Sequence, residues 1–592
     1  ITQDLDMLTK GLKLTAMYAF DVYNEIHVHQ DRAESTYNFL DTSVPYDMDG
    51  QPILQRIYEG SNVLSYTQET SGNKKTYLEA SLNYDRTFND DHRVSALFLF
   101  NQQSKLLYPK GTLEDAIPYR MMGIAGRATY SWKDRYFAEF NIGYNGAENF
   151  SPKHRFGTFP AFGVGWVISN EKFWQPLSKA VSFLKIRYTD GKVGNSEVSD
   201  RRFMYLDQMK ENGDYGYKFG PNGTKWSGYE TVNMAVDLIW EESRKQDLGI
   251  DIKLFNDDLS IVFDLFKERR ENILLKREHS IPSFLGYNTS APYGNIGIIE
   301  NKGFDGTIEY NKRINKDWVL ALRGNITFNK DKWIQGELPE QKYEWMNQYG
   351  RNINGVKGYV AEGLFTQAEI DDMARWESLS DANKAITPKP FASQFGTVKA
   401  GDIKYKDLNN DGQIDAYDQT YISRGDVPTT VYGFGFTVGW KDLSVGMMFQ
   451  GVAGAERVLN GSSINPFNGG GGSGNLYSNI GDRWTEENPD QNAFYPRLSY
   501  GSETTSSINN FQKSTWWVRN MNFLRLKTLQ VSYNLPKPWV NKVHLKNAAV
   551  YVMGTNLFTL SRFKLWDPEL NTDNGASYPN TTSYSVGINF TF

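Results

Sequence analysis

Apolar and polar residues alternate strictly in runs that recur from one end of the chain to the other. Tyr136, Ala138, Phe140, Ile142 and Tyr144 interleave with Phe137, Glu139, Asn141 and Gly143. Leu320, Leu322, Ile326 and Phe328 interleave with Arg323, Asn325 and Thr327. The last run sets Tyr584, Val586, Ile588, Phe590 and Phe592 against Ser583, Ser585, Gly587, Asn589 and Thr591. A period of two places each set on its own face of a β-sheet. Many runs reach about nine to eleven residues, the length that crosses a membrane at a tilt, whereas soluble strands run to about five or six.

The spacing predicts about sixteen strands, near 12–23, 76–88, 92–101, 122–132, 135–145, 161–169, 181–190, 247–255, 259–269, 303–311, 317–329, 431–440, 443–451, 522–533, 548–556 and 582–592. Short turns alternate with long loops. The turns include Asn89 to Asp91, Lys133-Asp134, Asn256 to Asp258, Asn311 to Lys316 and Lys441-Asp442. The loops lie at roughly 102–121, 146–160, 191–246, 270–302, 330–430, 452–521 and 557–581. Short periplasmic turns and long extracellular loops mark an all-β, antiparallel up-and-down transmembrane barrel. Tyr84, Trp132, Tyr136, Tyr310, Trp318, Trp440 and Tyr533 all fall beside the short turns, mostly in phase with the apolar set. They predict an aromatic girdle at the periplasmic rim, with polar tips among the headgroups.

Composition sharpens this. A chain of 592 residues is too long for one ordinary globular core. Aromatic residues reach 14% although the mean hydropathy is only −0.55. There is no run of about 20 apolar residues for a membrane helix, a test that barrel strands escape because their two faces alternate. The net charge of −5 offers no broad basic surface for nucleic acid. Cysteine is absent, which excludes disulfides and thiolate metal sites and fits a bacterial envelope protein. Ile1 begins no signal peptide, so the expectation is either a mature start or a fragment.

Several stretches resemble the C-terminal barrel of the SusC/RagA family of TonB-dependent transporters. They are Glu241 to Leu275 (EESRKQDLGIDIKLFNDDLSIVFDLFKERRENILL), Asn295 to Ile308 (NIGIIENKGFDGTI), Gly358 to Phe365 (GYVAEGLF) and Gly401 to Asp418 (GDIKYKDLNNDGQIDAYD). Trp484 to Leu498 (WTEENPDQNAFYPRL), Phe523 to Pro536 (FLRLKTLQVSYNLP) and Tyr551 to Phe558 (YVMGTNLF) complete the set, in the family's order. The resemblance implies a barrel of about 22 strands, of which residues 1–592 would be the last sixteen or so, without the N-terminal plug. It also implies a TonB-contacting segment upstream, a SusD-like lipoprotein lid, and a dimer of transporter–lid pairs.

Candidate chemistry is sparse. Asp407, Asn409, Asp411, Gln413, Asp415 and Asp418 have the spacing of an EF-hand-like Ca²⁺ loop, with Gln413 offering its carbonyl and Gly412 allowing the sharp turn. Asp418 stands where a longer Glu usually binds through both oxygens, and no flanking helices are evident. A structural cation and a metal-free Asx-turn loop both remain open. The run Tyr432 to Gly439 has glycines that resemble a phosphate loop but read better as the lumen-facing positions of a strand. His27 and His29 read as solvated loop residues, Glu241-Glu242 as loop charges, and Gly469 to Gly474 as a loop tip. There is no Ser/His/Asp or HExxH arrangement. Trp226, Tyr229, Trp345, Tyr349, Trp376, Trp516 and Trp517 crowd the large loops, where aromatic faces can stack on sugars or pack the loops together.

The expectation is therefore a non-enzymatic, outer-membrane importer of oligosaccharides or peptides, driven through TonB and capped by a SusD-like lipoprotein. A passive 16-stranded porin and a secreted all-β glycan-binding protein or hydrolase are the rival readings.

Overall fold

The computed structural model describes residues 1–592 except 41–42, 109–115, 198–201, 219, 221–222, 224, 234, 283, 285–290, 462–463, 467–476 and 499–507. It divides into two compact units. In the first (Ile1–Tyr130, Phe140–Pro160 and Ser199–Leu206), β1 (Leu12–His29) runs antiparallel to β2 (Thr67–Phe88), with Leu12 opposite Tyr84. Strand β2 pairs in turn with β3 (His92–Tyr108), Phe88 opposite His92. Three strands contribute residues to both units: β4 (Tyr119–Trp132), β5 (Tyr136–Ala147) and β6 (Phe156–Val167).

The second unit holds the long ladder. Residues Ala161–Val167 of β6 pair with β7 (Val181–Asn195), and every strand then pairs antiparallel with the next. The order is β8 (Glu241–Leu254), β9 (Leu259–Lys276), β10 (Tyr293–Arg313), β11 (Trp318–Gln335), β12 (Thr430–Trp440), β13 (Leu443–Ala453), β14 (Phe523–Asn534), β15 (Asn547–Ser561) and β16 (Ser583–Thr591). All sixteen strands expected from the alternation are present.

The two faces separate as the alternation requires. Leu248, Phe263, Leu265, Ile308, Leu322 and Ile326 are exposed on one face, although they are large and apolar. The other face carries Arg187, whose guanidinium lies among Asp247, Asp251 and Asp264 at 2.6–3.4 Å. An exposed apolar band of this extent is unusual in a soluble chain and suits lipid contact.

The aromatic girdle forms at the short-turn ends. Trp132, Tyr136 and Trp166 stack with centroids 5.7 and 6.2 Å apart, and Trp318 lies 6.2 Å from Trp440. Glu171 holds the polar tips. It accepts from the Tyr136 hydroxyl at 2.7 Å and the Trp166 indole at 3.2 Å, and it pairs with Arg135. Turn chemistry agrees, since Lys133 and Asp134 both have positive φ (53° and 50°), as a tight two-residue hairpin needs.

Two features differ from the sequence reading. The short-turn side also carries longer links, one with 3₁₀ turns at Ile168–Asn170 and Lys172–Leu177 and one with a helix at Lys537–Lys542. The strands also overrun their expected ends on the long-loop side. Strand β10, expected at 303–311, runs Tyr293–Arg313. Backbone pairing continues there while the apolar alternation stops, because the outward positions become charged at Lys302 and Glu300.

Leu322→Arg places a charge near the middle of the apolar band and is expected to cost about 2–4 kcal/mol. Thr327→Arg, on the polar face opposite Asp305, is expected to change stability far less. Urea-induced unfolding from lipid vesicles, read by heat-modifiable gel mobility, measures both.

Candidate functional site

A wall with lipid on one face has no second layer to pack against, so the main hydrophobic cores lie in the loops. One gathers Tyr359, Leu364, Ile403, Tyr405, Ile414 and Trp484. These come from the β11–β12 loop and the β13–β14 loop. The second gathers Leu459, Ile464, Tyr495, Trp517, Met521 and Phe563, adding the β15–β16 loop. Loops that would be solvated strings alone thus form a domain-like layer joined to the ends of these strands. Within it, α1 (Gln367–Glu377) starts with a capping box: Thr366 accepts from the Glu369 N–H while Glu369 accepts from that of Thr366.

A buried polar network fastens the two large loops together. Asp402 is fully buried and accepts from Arg497 Nε and Nη2 at 3.0 and 3.2 Å. It also accepts from Asn510 Nδ2 and from the backbone N–H of Lys399. Asn510 Oδ1 accepts from Ile403 N–H at 2.9 Å, and Asn509 Nδ2 donates to the Ile403 carbonyl at 2.8 Å. The Tyr405 hydroxyl donates to the Asn509 carbonyl at 2.6 Å, and burial pushes its pKa far up, so it stays a neutral donor. Every polar group named here has a partner, as a buried network requires.

A second buried cation ties the β15–β16 loop to the wall. Arg525 on β14, with 1% of its side chain exposed, pairs with Asp567 and Glu569 and donates to Thr559 on β15. Arg457 does similar work beyond the wall, bonding Asp426, Asn571 and Asp573.

The EF-hand-like loop closes on its own backbone. Asp407 accepts from the N–H groups of Asn410 and Gly412 at 2.6 and 2.8 Å, and Asn409 from that of Asp411 at 3.1 Å. Asp411 accepts from Gln413 N–H, Asp415 from Tyr417 N–H, and the fully buried Asp418 from Leu408 and Asp415. Asn410 and Gly412 take the positive φ values (58° and 83°) that the turn needs. Among the described residues, no group of three or more His, Asp or Glu side chains is gathered to hold a metal ion. The arrangement is that of an Asx-turn loop, docked by the Trp345 indole on the Tyr417 carbonyl and by Gln419 on the Tyr359 hydroxyl.

The loop aromatic residues divide. Trp517 is buried and donates to Asn510. The indoles of Trp345, Trp376 and Trp516 each donate to a carbonyl elsewhere in the loops, and the Tyr349 hydroxyl to Leu338. All five are tied into the loop layer, with Trp517 fully buried. Trp226 and Tyr229, on the hairpin Gln208–Lys218 with Lys225–Asn233, remain two-thirds exposed. Two polar depressions open in the loop layer. One of about 580 Å³ is lined by Glu340, Glu344, Asn347, Tyr349 and Arg351. The other, of about 220 Å³, includes Asp426, Arg457, Asn460, Lys513 and Asp573.

The smaller readings fall as follows among the strands. His27 and His29 lie on the end of β1 rather than in a loop, with stacked rings and His27 beside Glu25. Glu241 and Glu242 open β8, where they face Arg270 and Lys192 across the ladder. Gly433 and Gly435 alternate with exposed Phe434 on β12, as expected of a strand. Gly469 to Gly474 lies outside the described residues.

The sequence reading did not single out Asp402, Arg497, Asn509 or Asn510. Asp402 and Arg497 do sit inside two of the family-like stretches, the one signal in the sequence that could have found them.

No family model matches the chain. It is 26% identical over 501 residues to TonB-dependent receptor P3 of Formosa agariphila, covering 80% of this chain and 45% of that protein. It is 24% identical over 485 residues to TonB-dependent receptor SusC of Bacteroides thetaiotaomicron, covering 79% of this chain and 43% of that protein. Among solved structures, the RagAB peptide transporter superposes with a TM-score of 0.71 at 19% identity, covering 98% of this chain and 60% of that one. The chain spans about half the length of the curated relatives it matches. These similarities agree with an outer-membrane β-barrel transporter fold, and the relatives are named as receptors rather than enzymes.

Asp402→Ala leaves Arg497 and Asn510 facing an empty, buried position. The expected cost is about 3–5 kcal/mol, confined to the loop layer. Hydrogen exchange is expected to quicken around 395–415 and 508–520 while the β8–β11 amides keep their protection.

Proposed function

We propose that this chain forms most of the wall and the outer vestibule of a TonB-dependent importer of oligosaccharides or peptides, working with a SusD-like surface lipoprotein. The observation that carries the reading is the loop layer. Two hydrophobic cores and a buried polar network hold the long loops as a rigid, polar-surfaced vestibule on a lipid-facing wall. That arrangement suits capture of a bulky polar solute beneath a lid better than passive sieving, for which short loops suffice. Coupling to TonB is proposed to run through a plug domain outside residues 1–592. No bond of the solute is made or broken, and the wall's part is shape, polarity and exclusion of lipid.

Similarity to TonB-dependent receptor SusC and to the RagAB peptide transporter supports the transporter class. The substrate of this chain is left as oligosaccharide or peptide. The sixteen long strands also fit a passive porin, and that reading is the one the experiment must separate.

Asp407, Asn409, Asp411, Gln413, Asp415 and Asp418 are proposed to accept a loop-stiffening Ca²⁺ in addition to their backbone partners. Terbium luminescence sensitised by the nearby Tyr417 is expected on titration, lost on Asp411→Ala, with slower loop proteolysis when Ca²⁺ is present. Absent luminescence together with unchanged proteolysis leaves the metal-free Asx-turn loop.

For the main reading, native protein extracted from outer membranes in detergent is expected to co-purify with a surface lipoprotein, on a polypeptide well above 67.7 kDa. A 67.7 kDa chain that purifies alone and conducts small ions freely in planar bilayers would replace the importer with a porin.

A further inference from the structure

The outward face of β7–β11 changes character at one height. Over Tyr188–Lys192 and the facing stretches Arg244–Leu248, Leu265–Arg269, Glu300–Phe304 and Phe328–Lys332 the ladders are unbroken in register, so residues directly opposite one another share a face. The row Tyr188, Leu248, Leu265, Phe304 and Phe328 is aromatic or aliphatic throughout. Phe263, Phe304 and Phe328 pack ring to ring, with centroids 5.8 and 5.6 Å apart. From the Trp318 end of β11 to Phe328, a rise of about 3.3 Å per residue at a tilt of about 40° climbs about 25 Å, the height of a barrel's apolar band. Phe328 therefore marks the outer edge of the hydrocarbon.

The next outward row, two residues further along each strand, is Asp190, Gln246, Lys267, Lys302 and Lys330. The row after it is Lys192, Arg244, Arg269, Glu300 and Lys332. With Glu242 and Glu271 above them, seven cations stand against four carboxylates, in a chain whose overall charge is −5. Lys267, Lys302 and Lys330 lie directly opposite one another on three adjacent strands. Like charges in that position destabilise a sheet. Glu300 answers Lys267 and Lys332, each at 3.3 Å. Lys302 and Lys330 are exposed, and neither forms an ion pair among the described residues.

We propose that this belt binds the phosphorylated headgroup of an outer-leaflet lipid, with Lys267, Lys302 and Lys330 as its principal contacts. The height selects the occupant. These side chains emerge where headgroup phosphates begin, on the same face whose apolar rows contact the acyl chains. A phosphate monoester carries a charge of about −1.5 to −2, enough to offset Lys302 and Lys330, which form no ion pair among the described residues, while Lys267 beside them is shared with Glu300. A soluble anion would gain nothing from the apolar rows below. The proposal rests on the membrane placement of the wall, and not on what the protein imports or on its lid.

The test uses the full-length protein, delipidated in detergent and examined by native mass spectrometry. Three probes are added separately: bis-phosphorylated lipid A, the same lipid dephosphorylated, and inorganic phosphate. The phosphorylated lipid is expected to remain bound. The triple change Lys267→Gln, Lys302→Gln and Lys330→Gln is expected to weaken it at least tenfold, and the corresponding triple Arg change to retain it. Equal retention of the dephosphorylated lipid, or undiminished binding by the Gln triple, overturns the proposal. So does displacement by inorganic phosphate at matching concentration, which would make this a free-anion site, or a change of oligomeric state without lipid, which would make it a protein interface. Heat-modifiable mobility checks that the Gln triple folds. If it does not, a photoreactive headgroup cross-linked to the wild-type protein decides: adducts must map to β9–β11 near residues 267, 302 and 330, and adducts elsewhere overturn the assignment.

Discussion

The structure depends on one constraint: a backbone facing lipid must find all its hydrogen-bond partners within the protein. The long antiparallel ladders meet it, each strand from β7 to β16 pairing with its sequence neighbour. Once the ladder supplies the hydrogen bonds, the outward side chains are free to be apolar. Leu322, Ile326 and Ile308 are exposed in the isolated chain for that reason, and the same exposure would be an aggregation hazard in a soluble protein.

Turning the apolar face outward removes it from the task of holding the protein together. The burial that usually stabilises a domain is therefore found mainly in the loops. The Trp517, Tyr495 and Tyr405 side chains fill those cores, and Asp402 with Arg497, Asn509 and Asn510 fixes how the two large loops meet. A charged network at such a place is a demanding design, because any missing partner leaves a buried charge. Its gain is geometric definition, which fixes how the loops meet and the surface they present. Arg525 carries the same logic to the wall, reaching from β14 to two carboxylates of the last long loop.

The two edges of the apolar band are built differently. At the short-turn edge, Trp and Tyr rings stack and Glu171 gathers their polar tips. At the other edge, phenylalanines give way within two residues to lysines, with arginines in the row beyond. Aromatic residues suit an interface where one end is wet, while a dense cationic row suits a surface of fixed negative charge. The asymmetry is consistent with two leaflets of different chemistry.

The sequence by itself determined the sheet, the strand count, the separation of faces and the aromatic girdle. All of these follow from a period-two pattern that is local to each strand and survives without knowledge of the neighbours. The turns at Lys133-Asp134 and Asn256 to Asp258 were legible for the same local reason. Tertiary structure alone decided the rest. The overrun of β10 to Tyr293 was hidden because backbone pairing persists after the side-chain alternation ends. The Asp402–Arg497 pair spans 95 positions, so no spacing rule joins them. The role of Trp517 as core rather than binding surface depended on what packs around it. The lysine row at 267, 302 and 330 is three separate residues in the sequence. It becomes a belt only when cross-strand register sets them side by side.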